Sequence, residues 1–299
     1  MKTFNPQKIL IPIDFSETSM IAVKHGAFTA QLFKAELVLL HVVENHWENF
    51  SIVAPEIRVE APSDLTNMIE KRLEEIAAGI RSEYGVTSTC ITSDGNIFSE
   101  VITISEEHHI DLIVMGTHGT SGVVEFFAGS NTFRVATEAA CPVISVRVLA
   151  DKVGFKNIVL PIDDSMHSRQ KVDYATVLAK HFAAKIHILG LAESKDETTL
   201  KKFEFKLDQV EEHLKQADIS YSRTTVNGGN QAKVTYDYAK SVEADLIVIM
   251  TDQDENITGR LMGTFAQQLV NHSKIPVMSI QPVQGRIDFP SLSGGFHAA

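Results

Sequence analysis

The chain has little of what several protein classes need. Only Cys90 and Cys141 represent cysteine among 299 residues, which leaves no disulfide framework and fits a reducing compartment. No apolar run approaches the ~20 residues of a membrane-spanning helix. Basic residues are in the minority: 27 Lys and Arg face 38 Asp and Glu, for a formal charge of −11. That balance disfavours a nucleic-acid backbone or an anionic membrane as the main partner. The opening stretch MKTFNPQKILIPIDF is interrupted by Pro12 and Asp14 and has no small-residue cleavage site after it. It reads as a first strand, not a signal peptide, and a cytoplasmic protein is expected. Familiar catalytic signatures are missing as well: the sequence holds no G-x4-G-K-[S/T], no G-x-S-x-G elbow and no H-E-x-x-H.

What the sequence does have is a repeat. KILIPIDFSETS (Lys8–Ser19) returns as NIVLPIDDSMHS (Asn157–Ser168), an offset of 149 (8 to 157). Pro12, Ile13, Asp14, Ser16 and Ser19 fall on Pro161, Ile162, Asp163, Ser165 and Ser168. Further along the offset becomes 134 (111 to 245), where DLIV at Asp111–Val114 recurs at Asp245–Val248 and Pro142-Val143 at Pro276-Val277. Two collinear blocks mark a duplicated domain. The first half therefore carries 15 extra residues (149 − 134), assigned to Asn45–Pro62, which has no helical periodicity. The expected division is residues 1–149, residues 150–281 and a tail over 282–299, which contains Gly, Ser and Pro and is read as either poorly ordered or reaching a partner chain.

Within each half, short apolar runs alternate with longer amphipathic ones. Ile9–Ile13, Leu37–Val43, Val86–Thr92, Leu112–Met115 and Val143–Val146 read as parallel strands buried on both faces. Ser16 can cap a first helix. Leu65, Ile69, Leu73, Ile76 and Ile80 space one apolar face along a second, and Leu200, Phe203, Leu207, Val210 and Leu214 repeat it. The order β-α-β-α-β-α-β-α-β predicts an α/β fold: two tandem Rossmann-like domains, each a five-stranded parallel sheet with helices on both faces. Ligands of such sheets sit at the carboxyl ends of the strands, near a topological switch point.

The loop after the fourth strand carries the chemistry. Met115 leads into a segment punctuated by Gly116, Gly119, Gly122 and Gly129, and Gly129-Ser130-Asn131 opens a helix. Glycines let backbone N–H groups curl round an anion, and a helix start supplies unpaired donors. The same loop is also compatible with a tight strand-to-helix turn. Asp14 likewise has two readings, a cap on the following turn or a ligand contact. His118 is either a phosphate donor or a solvent-facing turn residue.

The spacing Gly116-x2-Gly119-x9-Gly129-Ser130 resembles the ATP-binding signature of the universal stress protein family. Asp14 at a strand end and Cys141-Pro142-Val143 before the last strand agree with it. Nearly the whole chain to about Gln281 resembles a tandem universal stress protein. The resemblance implies that Pro12, Ile13 and Asp14 line the adenosine end, with Val42 beside the base. It implies that Gly116, Gly119, Gly129, Ser130 and Asn131 hold the phosphates of ATP or a related adenine nucleotide, alone or with Mg. An Arg common after the second glycine is Thr120 here. The resemblance further implies that the halves pack as an internal pseudo-dimer, with a homodimer as an additional option.

The second half departs from this pattern. Gly116, Gly119 and Gly122 become Met250, Gln253 and Asn256, and only Gly129-Ser130 survives, as Gly263-Thr264. TDQDE (Thr251–Glu255) puts carboxylates where phosphate would sit, so ATP is not expected there. This half is read as structural or altered in ligand, and its acidic loop as a solvated face before a metal site. His108-His109 face different ways, Cys90 and Cys141 read as small core residues, and Trp47 serves as a nucleotide lid or a packing anchor. No catalytic residue is assigned. Hydrolysis needs a water-positioning group and charge on the transferred phosphoryl, so turnover is expected to be weak at most. The leading reading is a stress-response protein that senses ATP; a slow ATPase and a binder of a non-nucleotide ligand are the alternatives.

Overall fold

In the computed structural model the described residues are 4–44, 62–117, 130–148, 150, 152–165, 167–194, 196–251 and 263–283, with backbone alone at 62–65 and 130. The first half places β1 (Lys8–Pro12), α1 (Glu17–Phe33), β2 (Glu36–Val43), α2 (Pro62–Tyr84), β3 (Ser88–Asp94), α3 (Ile97–Glu107), β4 (Leu112–Gly116), α4 (Ser130–Glu138) and β5 (Val143–Val146) in that order. The second half repeats it with β6 (Asn157–Ile162), α5 (Val172–Phe182), β7 (Lys185–Ala192), α6 (Glu197–Gln216), β8 (Tyr221–Asn227), α7 (Gln231–Ser241), β9 (Leu246–Met250), α8 (Thr264–His272) and β10 (Val277–Ile280).

The strands form one ten-stranded sheet in the order β3-β2-β1-β4-β5-β10-β9-β6-β7-β8. Within each half every pairing is parallel. The halves meet where β5 and β10 pair antiparallel, Met278 opposite Ile144. Alternation along the strands divides the core into two layers. Ile9, Ile11, Leu37 and Leu39 face the layer under α1, α2, α5 and α6, while Leu10, Val38 and Leu40 face the layer under α3, α4, α7 and α8. The predicted helical stripes are buried as the spacing requires: Ile69, Leu73, Ile76 and Ile80 on α2, and Phe203, Leu207, Val210 and Leu214 on α6.

Local signals set the element ends. Ser16 Oγ accepts from Ser19 N at 3.2 Å and caps α1. Asn96 and Asn230 cap α3 and α7 in the same way. The third strand begins at Ser88, two residues after the apolar run from Val86 suggests. Gly85 turns the chain out of α2 with φ +69°, and Val86 is buried before the pairing with β2 starts. Asp94 pairs with Val43 and Asn227 with Ala192, so here the repeat runs one residue short of the 134 offset. Gly228 (φ +77°) supplies the extra residue that restores it before Gly229-Asn230.

A second seam joins the halves beneath α1 and α5. Phe155, 1% exposed, stacks on His25 and packs on Phe182, with ring centroids 5.7 and 4.9 Å away. Phe28 approaches Phe182 at 5.9 Å, and Phe33 stacks on His181 at 3.9 Å. His25 Nε2 donates to the Ala150 carbonyl at 2.8 Å, tying α1 to the connection between the halves. Cys90 and Cys141 pack against the two core layers, and burial pushes the Cys141 thiol up to about 12. Both are only partly buried, so the expected core positions are the margins of the two layers.

Candidate functional site at the carboxyl edge of the first half

In the first half β1 pairs with β2 on one side and β4 on the other. The chain winds outward from β1 to β3, then returns to β4, so the switch point lies between β1 and β4. Pro12, Ile13 and Asp14 leave β1 at this edge, Val42 lies at the end of β2, and Met115 and Gly116 end β4. The sequence-predicted residues of the adenosine end are thus brought together. Asn131 lies in the first turn of α4, and Ser130 begins that helix. His118, Gly119 and Gly129 fall outside the described residues, as do Thr120, Trp47, most of Asn45–Pro62 and the tail beyond Val283.

Each wall of the edge has a local cause. Ile13 N donates to Leu40 O at 2.7 Å, which extends the sheet one residue past β1. Asp14 Oδ1 accepts from Ser16 N at 3.0 Å and from Ser16 Oγ at 2.6 Å, so this carboxylate does brace the turn into α1. Among the described residues Asp14 Oδ2 takes no such donor, which leaves one oxygen for a ligand hydroxyl. Gly116 is required by packing. A Cβ there would stand 2.8 Å from Thr18 Cγ2, 3.1 Å from Thr18 C and 3.2 Å from Ser19 N. The start of α1 therefore presses directly on the end of β4. Thr132, buried in α4, donates from Oγ1 to Gly116 O at 2.7 Å and holds that strand end from the other side.

Two residues that the sequence did not single out shape the mouth. Phe15 has φ 61°, a left-handed conformation that an aromatic residue rarely adopts. Its ring stacks on His41 with centroids 4.8 Å apart, and His41 Nδ1 donates to Ile13 O at 2.7 Å. A polar His inside the apolar run of β2 was the available signal. The second half has Asp164 and Gly190 at these two positions, so the stack belongs to the first half alone.

The corresponding edge of the second half is built differently. Met250, 2% exposed, replaces Gly116. Residues 252–262, which hold Asp252, Asp254 and Glu255, lie outside the described residues. Lys171 is buried beneath the strand end, donating from Nζ to Ser168 O at 2.7 Å and Ser168 Oγ at 3.0 Å. Burial pushes the Asp163 carboxyl up, but the Lys171 charge and hydrogen bonds from Ser165 and Ser168 outweigh it and hold the group below the usual range. A cavity of about 430 Å³ remains here, lined by Asp163, Glu193, Leu191, Phe203 and Gln231. Among the described residues no cluster of His, Cys, Asp and Glu is arranged to hold a metal, and no helix is long and apolar enough to cross a membrane.

The Universal stress protein family profile matches residues 5–147 and again residues 154–281. The chain belongs to the universal stress protein family, in tandem. Universal stress protein MJ0577 of Methanocaldococcus jannaschii is 30% identical over 154 residues, covering 47% of this chain and 94% of that protein. Universal stress protein YxiE of Bacillus subtilis is 31% identical over 150 residues, 47% of this chain and 98% of its own length. A solved universal stress protein of Archaeoglobus fulgidus superposes with a TM-score of 0.70 at 19% identity, covering 93% of this chain and 97% of that one. This likeness concerns the fold of the two halves together.

Proposed function

We propose that this universal stress protein binds ATP, alone or with Mg, in its first half and uses occupancy as a regulatory signal. The observation that carries the reading is that Asp14, Val42 and Gly116 share the carboxyl edge of the adjacent strands β1, β2 and β4, directly before the Gly116-x2-Gly119-x9-Gly129-Ser130 signature. In this reading Pro12 and Ile13 line the adenosine end and Val42 meets the base. Asp14 Oδ2 accepts from a ribose hydroxyl. Met115 and Gly116 lead into the phosphate end, where His118, Gly119, Gly129, Ser130 and Asn131 take the anion. Occupancy alters the protein only through a difference in affinity between two of its states.

The second half, residues 150–281, serves residues 1–149 as an internal pseudo-dimer partner in the cytoplasm and takes no nucleotide. Met250 and the buried Lys171 support this division. The test is a calorimetric titration with ATP of the parent chain and of Asp14→Ala. One site per chain, weakened by the substitution, supports the proposal, and two equal sites overturn it. A phosphate-release assay on the same samples separates a sensor, which retains ATP, from slow turnover.

A further inference from the structure

The charges of α6 are sorted between two sides. Glu204, Asp208 and Glu211 all turn to Arg223 on β8, the last two at 2.7 and 3.5 Å. Another line of side chains follows helical spacing along the same helix: Thr198, Lys201, Lys202, Phe205, Lys206 and Gln209. Together with Arg169, from the turn before α5, they line an open groove of about 520 Å³ that contains no carboxylate. Arg169 donates to Gln209 across it. Phe205 is 62% exposed there, although it is large and apolar.

The lysines are only partly neutralised. Lys201 pairs with Glu197 at 2.7 Å, but both side chains are more than 70% exposed and such a pair is weak. Lys206 pairs with Asp164 at the groove margin. Among the described residues, Lys202 has no carboxylate within ion-pair distance. In a chain with a formal charge of −11, this is a local positive surface with an aromatic at its centre.

We propose that the α6 groove is a docking site for an acidic peptide segment of a partner protein, one that places an apolar side chain against Phe205 and carboxylates against Lys201 and Lys202. Charge complementarity selects the acidic partner, since every charged side chain lining the groove is a cation. The overall negative field repels a long polyanion, while a short acidic segment brings few charges into it. An exposed aromatic flanked by basic side chains fits the anchor and rim of a peptide-binding surface. The inference does not depend on nucleotide binding in the first half.

The experiment is fluorescence anisotropy at low salt with a short labelled peptide alternating Glu and Phe. The proteins are the full chain, Phe205→Ser and Lys202→Glu. Saturable binding that falls about tenfold in each variant, with unchanged circular dichroism and melting, is the expected result. No binding, or equal binding to all three proteins, overturns the proposal. Polyglutamate binding as tightly as the peptide also overturns it, because Phe205 would then contribute nothing. Single-stranded oligo-dT binding more tightly would instead mark a nucleic-acid surface. Self-association that the variants abolish would assign the groove to a second copy of the chain. Either of these last two results contradicts the acidic-peptide assignment.

Discussion

Lys171 occupies in the second half the place that Ala22 holds in the first, and both are buried. A cation thus lies beneath the strand-end Asp163, where the first half has Ala22 at the matching position. Lys171→Met removes the charge that offsets Asp163 and leaves the half-buried carboxylate with only its hydrogen bonds from Ser165 and Ser168. Such a loss costs about 1–3 kcal/mol. Urea unfolding is expected to show a drop of this size, and Asp163→Asn in the same chain is expected to restore part of it. No drop in the single variant contradicts the pairing.

Gly116→Ala tests the contact between β4 and α1. The new Cβ would meet Thr18 and the Ser19 amide at 2.8–3.2 Å, so the start of α1 has to move. The expected cost is about 1–3 kcal/mol in denaturant unfolding. Adding Thr18→Ser removes Cγ2 but leaves the backbone contacts, so it recovers only part. A fully stable Gly116→Ala protein contradicts the packing described.

Phe155→Ala tests the seam between the halves. The ring is 1% exposed and touches His25 and Phe182 from opposite halves. A cavity of this kind costs about 3–5 kcal/mol. Because β5 and β10 still pair, the loss is expected as one lowered transition and not as two separate ones. A second, distinct transition would show that the halves fold independently of the seam.

Acid sensitivity follows from His25. Burial holds its imidazole below the ordinary value of 6.5, while the Ala150 carbonyl and Asp245 pull the other way. A base with a depressed folded-state pKa stays neutral in the fold, so the unfolded chain takes up more protons on acidification. The stabilisation by neutral His25 is complete above about pH 6.5 and is lost as pH falls through the folded-state value. His25→Phe is expected to flatten this part of the stability–pH profile. His187 and His213, also lowered mainly by burial, continue to contribute. An unchanged slope contradicts the assignment.

Much of this architecture is legible in the sequence because it rests on periodic burial and short-range capping. The two offsets separate the halves, the apolar runs mark β1, β2, β4 and β5 closely, and Ser16 announces α1. Asp14 is recognisable as a strand-end acid, and its bond to Ser16 follows from the two-residue spacing. Other features depend on tertiary contacts with no local pattern. Val143–Val146 and Val277–Ile280 read alike as edge or central strands, so the antiparallel pairing that joins the halves leaves no mark on either. Phe15 in a left-handed turn is visible only once His41 is beside it. Lys171 lies in a helix-forming segment whose other residues suggest nothing about a buried charge. The sorting of α6 is equally hidden, since Arg223, which gathers its acids, lies on a different element.

One ATP site per chain, in the first half, is best tested by denaturing freshly purified protein and identifying the released nucleotide by chromatography and mass spectrometry. Gly119→Asp, prepared in parallel, puts a carboxylate into the glycine signature and serves as the control. About one equivalent of ATP per chain, absent from the variant, is the predicted result. No released nucleotide, together with no calorimetric binding of added ATP, would contradict the account and leave the tandem fold without its proposed ligand.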